Sequence, residues 1–83
     1  MACKVSYKNS VTQDLKRIDK SQARRILSRL EAELSADPYS GKPLAGEFKG
    51  LYRLRLGDYR IIYAVFPEET LVVRIAHRKE SYR

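Results

Sequence analysis

Val11, Leu15 and Ile18 recur at helical spacing, and after a polar break Ala23, Ile26, Leu27, Leu30 and Leu34 do so again. Positions three and four apart share one face of a helix, so the pattern predicts a short helix over 11–18 and a longer one after it. Asn9 or Ser10 is placed to cap the first. Asp19 opens the second, with Gln22 three residues on in the manner of a capping box. Pro38 marks the second helix as ended, because proline lacks the amide donor and clashes with the preceding turn. Ahead of both helices, Lys4, Val5, Ser6 and Tyr7 fit a short strand.

Past Gly50 the period changes to two. Residues 51–56, 59–66 and 71–77 read as three strands, joined by a tight turn at Gly57-Asp58 and a looser one at 67–69. The intervening stretch 37–50, DPYSGKPLAGEFKG, is broken by Pro38, Pro43 and three glycines and reads as a long loop. The order β-α-α-β-β-β predicts an α+β fold over 1–83: a single small domain, an antiparallel sheet with two helices packed on one face.

The turn also sorts the faces of that sheet. A two-residue connection at 57 and 58 sets Leu56 opposite Tyr59, Arg55 opposite Arg60, Leu54 opposite Ile61 and Tyr52 opposite Tyr63. One face then collects Tyr52, Leu54, Leu56, Tyr59, Ile61, Tyr63 and Val65, joined by Leu71, Val73, Ile75 and His77 if the second hairpin keeps parity. The other face receives Arg53, Arg55, Arg60 and Arg74, with Arg78 just past the last strand and Ile62, Ala64, Val72 and Ala76 among them. Like charges directly opposite on a sheet cost of the order of several tenths of a kcal/mol per pair. No acidic residue falls on the same strand face. The arginines therefore point to phosphate, whose geometry the planar guanidinium fork matches.

Composition agrees. Lys and Arg number 17 against 10 Asp and Glu in 83 residues, a net charge of +7, which suits a polyanionic partner. At 43% hydrophobic and 33% charged the chain is in the globular range. The lone Cys3 gives neither a disulfide pair nor a zinc site, and no cofactor motif is present. No run approaches the ~18 apolar residues of a membrane span, and the N-terminal residues lack an apolar signal core, so the expected location is cytoplasmic. Arg24, Arg25 and Arg29 lie opposite the apolar stripe of the second helix, as a solvated face or as contacts to a polyanion.

The segment HRKESYR places Arg78 and Tyr82 directly after the third strand. A phenol among cations is shifted toward its phenolate, which makes Tyr82 a candidate general base for a hydroxyl nucleophile. RNA carries such a nucleophile in its own 2′-OH, and arginines can stabilise the charge of the resulting phosphorane. His77 falls by parity on the core face, where a structural or orienting role fits it best. A guanidinium with a pKa above ~12 is a poor proton donor, so the arginines leave the general acid for the leaving group open.

The run GKPLAGEFKGLYRLRLGDYRIIYAV, followed by HRKESYR, resembles the RelE/ParE superfamily of toxins from toxin–antitoxin modules. The resemblance implies a RelE-like, microbial RNase-like α+β fold. In the RelE branch it implies a metal-independent, ribosome-dependent endoribonuclease that cuts mRNA in the ribosomal A site. Arg53, Arg55, Arg60, Arg78 and Tyr82 occupy the positions matching that branch's catalytic set. Arg24, Arg25, Arg29, Lys42 and Lys49, with Arg74 on the sheet, become candidate contacts to RNA or ribosome. The resemblance also implies a cognate acidic antitoxin that folds on binding and covers the basic surface, in a heteromeric complex. Two other functions stay open: the DNA gyrase poisoning of the ParE branch, and a non-catalytic basic RNA- or ribosome-binding module.

Overall fold

A computed structural model describes residues 4–77 of the chain. Strand β1 (Lys4–Tyr7) leads into helices α1 (Asn9–Lys16) and α2 (Lys20–Ala36). Then come a two-residue strand β2 (Lys42–Pro43), a 3-10 turn (Gly46–Phe48), and strands β3 (Leu51–Leu56), β4 (Tyr59–Val65) and β5 (Glu69–His77). The sheet order is β1-β5-β4-β3-β2. Strands β2 to β5 pair antiparallel, as the alternation predicts, but β1 lies parallel to β5 and makes the sheet mixed. Parallel neighbours need a crossover, and the two helices supply it.

Helix α2 begins where the sequence places it. The Asp19 carboxylate accepts from the Ser21 hydroxyl and from the Ser21 amide, which holds its carboxyl below the usual carboxylate range. Ile26, Leu30 and Leu34 from the apolar stripe are buried against Leu56, Ile61, Tyr63, Val72 and Ile75 of the sheet. Each such side chain contributes roughly 1.5–3 kcal/mol on burial, so this stripe is the main tie between helix and sheet.

Helix α1 departs from expectation at its start. Lys8, not Asn9 or Ser10, stands at the cap position, and no side chain caps the helix. The Lys8 amide still belongs to the sheet, donating to the Val72 carbonyl at 2.9 Å, so the helix has to begin directly after it. β1 pairs with β5 only as far as Val72, and beyond that α1 takes over the open edge with side chains. Ser10 donates its hydroxyl to the Val73 carbonyl, and the Asp14 carboxylate accepts from the Ile75 amide at 2.9 Å. On its other side α1 sends Val11 into the core with Leu15 packed against it, and Ile18, which the periodicity places in the helix, packs there from just beyond the helix end at Lys16.

The second hairpin does not keep parity. Ile62 pairs with Arg74 but Tyr63 pairs with Val72, so Val73 is an extra residue in β5. A bulge of this kind reverses the faces of everything beyond it. Val72 and Thr70, not Val73 and Leu71, therefore share the core face with Tyr63 and Val65, and Val72 is wholly buried. Ile75 and His77, which precede the irregularity counting from the first turn, keep the expected face opposite Ile61 and Tyr59.

Two substitutions of opposite sign test this arrangement by thermal melting. Thr70 is wholly buried and its hydroxyl has no hydrogen-bond partner among the described residues. Replacing it by the nearly isosteric valine removes an uncompensated polar group, and Thr70→Val is expected to stabilise the fold by about 1 kcal/mol. Asp14→Ala strips the Ile75 amide of its acceptor inside the structure and is expected to cost about 2 kcal/mol.

Candidate functional site

The tight turn between β3 and β4 is built on Gly57, whose φ of +59° suits the first central position of a hairpin turn. With two residues in the connection, Arg55 faces Arg60 directly across the ladder. Arg53 pairs with Ile62 and Arg60 with Ala76, so all three arginines share the face that the helix-packed core does not use. Ile62 and Ala76 are themselves buried, at 5% and 7% exposure, yet lie outside that core. The face thus has an apolar floor and a cationic surround, with Arg53 and Arg60 half-buried and Arg55 exposed.

β2 adds a fourth cation. Lys42, read from sequence as a loop residue, pairs with Arg53 and so belongs to the arginine face. Its place is set from the core. Gly41 donates its amide to the hydroxyl of the buried Tyr63 at 2.9 Å, and Ser40 bonds the same hydroxyl. A Cβ at position 41 would meet the Arg53 carbonyl oxygen and the Tyr63 hydroxyl at 2.6 Å, so only glycine passes there. Tyr63 in turn stacks on Tyr52 at 5.6 Å between centroids, and Tyr39 meets Tyr52 edge-on. Burial pushes the Tyr63 phenol above its ordinary pKa, the Gly41 and Ser40 bonds opposing this. The result is a cleft of about 300 Å³ lined by Ser40, Gly41, Lys42, Arg53, Leu54 and Arg55.

The other sequence candidates divide. Arg25 and Arg29 of α2 reach the helix side of the same hairpin turn, lining a groove of about 200 Å³ with Gln22, Gly57, Asp58 and Tyr59. Cations therefore flank the turn on both sides. Arg24 and Lys49 are exposed and line neither cavity. Arg74 is held at the β5 edge by Asp14, bidentate through Nε at 2.9 Å and Nη2 at 3.1 Å. That pair brings Arg74 a carboxylate that strand parity does not cover, because the acid comes from α1. His77 stands edge-on to Tyr59 at 5.2 Å on the helix side, beside Asp14 and Arg17. Arg78 and Tyr82 lie outside the described residues, as does Cys3.

Among the described residues no group of three or more His, Cys, Asp or Glu is gathered that could hold a metal ion. No described helix is long and apolar enough to cross a membrane. The arrangement has the chemistry to receive a phosphodiester: three guanidinium groups and one ammonium lie on one side of the sheet. Sequence patterning puts Arg53, Arg55 and Arg60 on one face but names Lys42 only as a loop contact, because the strand that carries it to that face has no signal beyond the glycine immediately before it.

A sequence profile of the family described as ParE toxin of type II toxin-antitoxin system, parDE, matches residues 5–82. Toxin RelE of Mycobacterium tuberculosis is 32% identical over 82 residues, covering 95% of this chain and 84% of that protein. Toxin RelG of the same organism is also 32% identical, covering 95% and 94%. In structure, the chain resembles one from the toxin–antitoxin complex RelBE2 of M. tuberculosis, with a TM-score of 0.88, 25% identity, and coverage of 94% of this chain and 100% of that one.

The phenols give a pH test of the pinning at Gly41. Burial raises the pKa of Tyr63, and burial together with the neighbouring Glu31 raises that of Tyr7, both from an ordinary 10.0. A phenol raised in this way supports the fold fully below its unfolded value, and that support is lost as the unfolded chain begins to ionise first. Stability in urea should be level up to about pH 10 and fall above it. Tyr63→Phe should lower neutral stability by about 1–3 kcal/mol, because the Gly41 amide loses its acceptor, and should flatten the alkaline fall.

Proposed function

The chain belongs to the RelE/ParE family of type II toxin–antitoxin toxins, and on that premise we propose that it is a ribosome-dependent endoribonuclease that cleaves mRNA and so stops translation. The observation that carries this reading is the direct pairing of Arg55 with Arg60, flanked by Arg53, on the face left bare by the helices. In this reading those three and Arg78 bind the scissile phosphate and stabilise the dianionic phosphorane, and Tyr82 accepts or orients the 2′-OH proton. The nucleophile belongs to the substrate, so no covalent enzyme intermediate is needed. Arg25 and Arg29 on the far side of the turn suit contacts to RNA backbone, with Arg24, Lys42 and Lys49 adding charge.

The likeness to a toxin solved in the RelBE2 complex supports a heteromeric partnership for this chain as well. A net charge of +7 favours an acidic antitoxin segment, which would cover the arginine face and hold the toxin inactive. A second reading, inhibition of DNA gyrase by binding, is favoured by the match to the ParE profile.

Mapping mRNA 5′ ends after induction separates the two. Cleavage predicts new ends within translated codons, whereas gyrase inhibition predicts altered plasmid supercoiling with intact messages. Arg60→Ala and Arg78→Ala are each expected to lower cleavage about 100-fold, the usual order for loss of one transition-state donor. Full activity in both variants would overturn the site assignment. Arg55 is exposed, so Arg55→Ala should show a comparable loss with an unchanged melting temperature.

A further inference from the structure

The proposed cleavage leaves one proton without a source. Expulsion of the 5′-oxygen as an alkoxide is slow unless something protonates it, and a guanidinium, with a pKa above about 12, is a poor donor. Among the described residues, the arginine face also carries a cation of a different kind. Lys42 is the cross-strand partner of Arg53, which places their Cβ atoms about 5 Å apart on a shared face. With Arg53 and Arg55 it lines the cleft at the open end of β2.

A strand of only two residues would position a lysine poorly by itself. Here the preceding residue is fixed from beneath: the Gly41 amide is bonded to the wholly buried Tyr63 hydroxyl, and the Gly41 α-carbon is packed against the Arg53 carbonyl with no space for a Cβ. The backbone carrying Lys42 is therefore anchored to the core, while the side chain itself is exposed. An exposed, flexible ammonium on a fixed stem can reach a departing oxygen beside the arginines and can be recharged by water afterwards.

We propose that Lys42 is the general acid for the leaving group, an assignment that rests on the ribonuclease reading. In the step, the 2′-oxygen forms a bond to phosphorus as its proton passes to the base. The bond from phosphorus to the 5′-oxygen breaks, its electron pair stays on that oxygen, and the oxygen takes a proton from the Lys42 Nζ. The products are a 2′,3′-cyclic phosphate and a 5′-hydroxyl, and the neutral amine regains its proton from solvent. The arginines supply charge and Lys42 supplies the proton.

The test uses ribosome complexes programmed with mRNA bearing either an ordinary linkage or a bridging 5′-phosphorothiolate at the cleaved position. Sulfur departs as a thiolate without protonation, so a missing acid matters only for the oxygen linkage. Lys42→Arg keeps the charge and removes the accessible proton. It is expected to slow the ordinary linkage about 100-fold or more and to leave the phosphorothiolate near the wild-type rate. Equal slowing of both linkages would overturn the acid role and leave Lys42 as a phosphate contact. An unimpaired Lys42→Arg on the ordinary linkage would overturn it too. If the wild-type protein cleaves neither linkage, the ribonuclease reading itself fails and takes this role with it.

Discussion

The register of β4 is the constraint on which the rest depends. It is the middle strand of the sheet and is paired on both sides, with Ile61 and Tyr63 on the core face and Arg60 and Ile62 on the other. A slip of one residue would carry Arg60 into the core and Ile61 and Tyr63 out of it. Burying an unpaired guanidinium costs several kcal/mol, far more than any hairpin preference could offset. The Gly57-Asp58 turn sets that register on one side. On the other, the bulge at Val73 lets β5 match it without turning Val72 outward.

With the register fixed, the juxtaposition of Arg55 and Arg60 follows, and the question becomes whether the fold can tolerate it. Cross-strand repulsion is of the order of several tenths of a kcal/mol, and exposure of Arg55 to water screens it. One buried leucine of the α2 stripe contributes roughly 1.5–3 kcal/mol, so the core outweighs the repulsion several times over. The arginine face is thus a small standing cost that a bound phosphate would relieve. The Asp14–Arg74 pair is of another kind: Asp14 is buried and also accepts the Ile75 amide, so it closes the sheet edge and ties Arg74 to α1.

What could be read from sequence was whatever repeats with a period or is fixed by a short turn. The α2 stripe, the three long strands and the placement of Arg53, Arg55 and Arg60 on one face all come from period and turn length, and the structure places them so. Three features had no such signal. The bulge at Val73 adds one residue within an unbroken run of apolar ones, and nothing in the alternation marks it. The parallel docking of β1 is a non-local choice. Ser10 and Asp14 serve a strand edge rather than a helix cap, so their local sequence context points to the wrong role. β2 was hidden for a plainer reason: a lysine and a proline in a glycine-containing loop look like the loop itself.

That last omission matters most for the site, because the proposed reaction asks different work of chemically different cations. The arginines of β3 and β4 stand on backbone paired on one or both sides, and their planar guanidinium forks suit recognition of a phosphate but not proton exchange. The ammonium sits on the edge strand, where the side chain is free and only its stem is tied, through Gly41 and Tyr63, to the packed interior. Tyr63 is the joint between these two requirements. Its ring stacks in the core beside Tyr52, and its hydroxyl holds the loop that presents Lys42, so the packing that stabilises the domain also sets the distance between lysine and arginines. Stability and the proposed chemistry would be coupled here through one phenol, and the glycine it contacts admits no side chain.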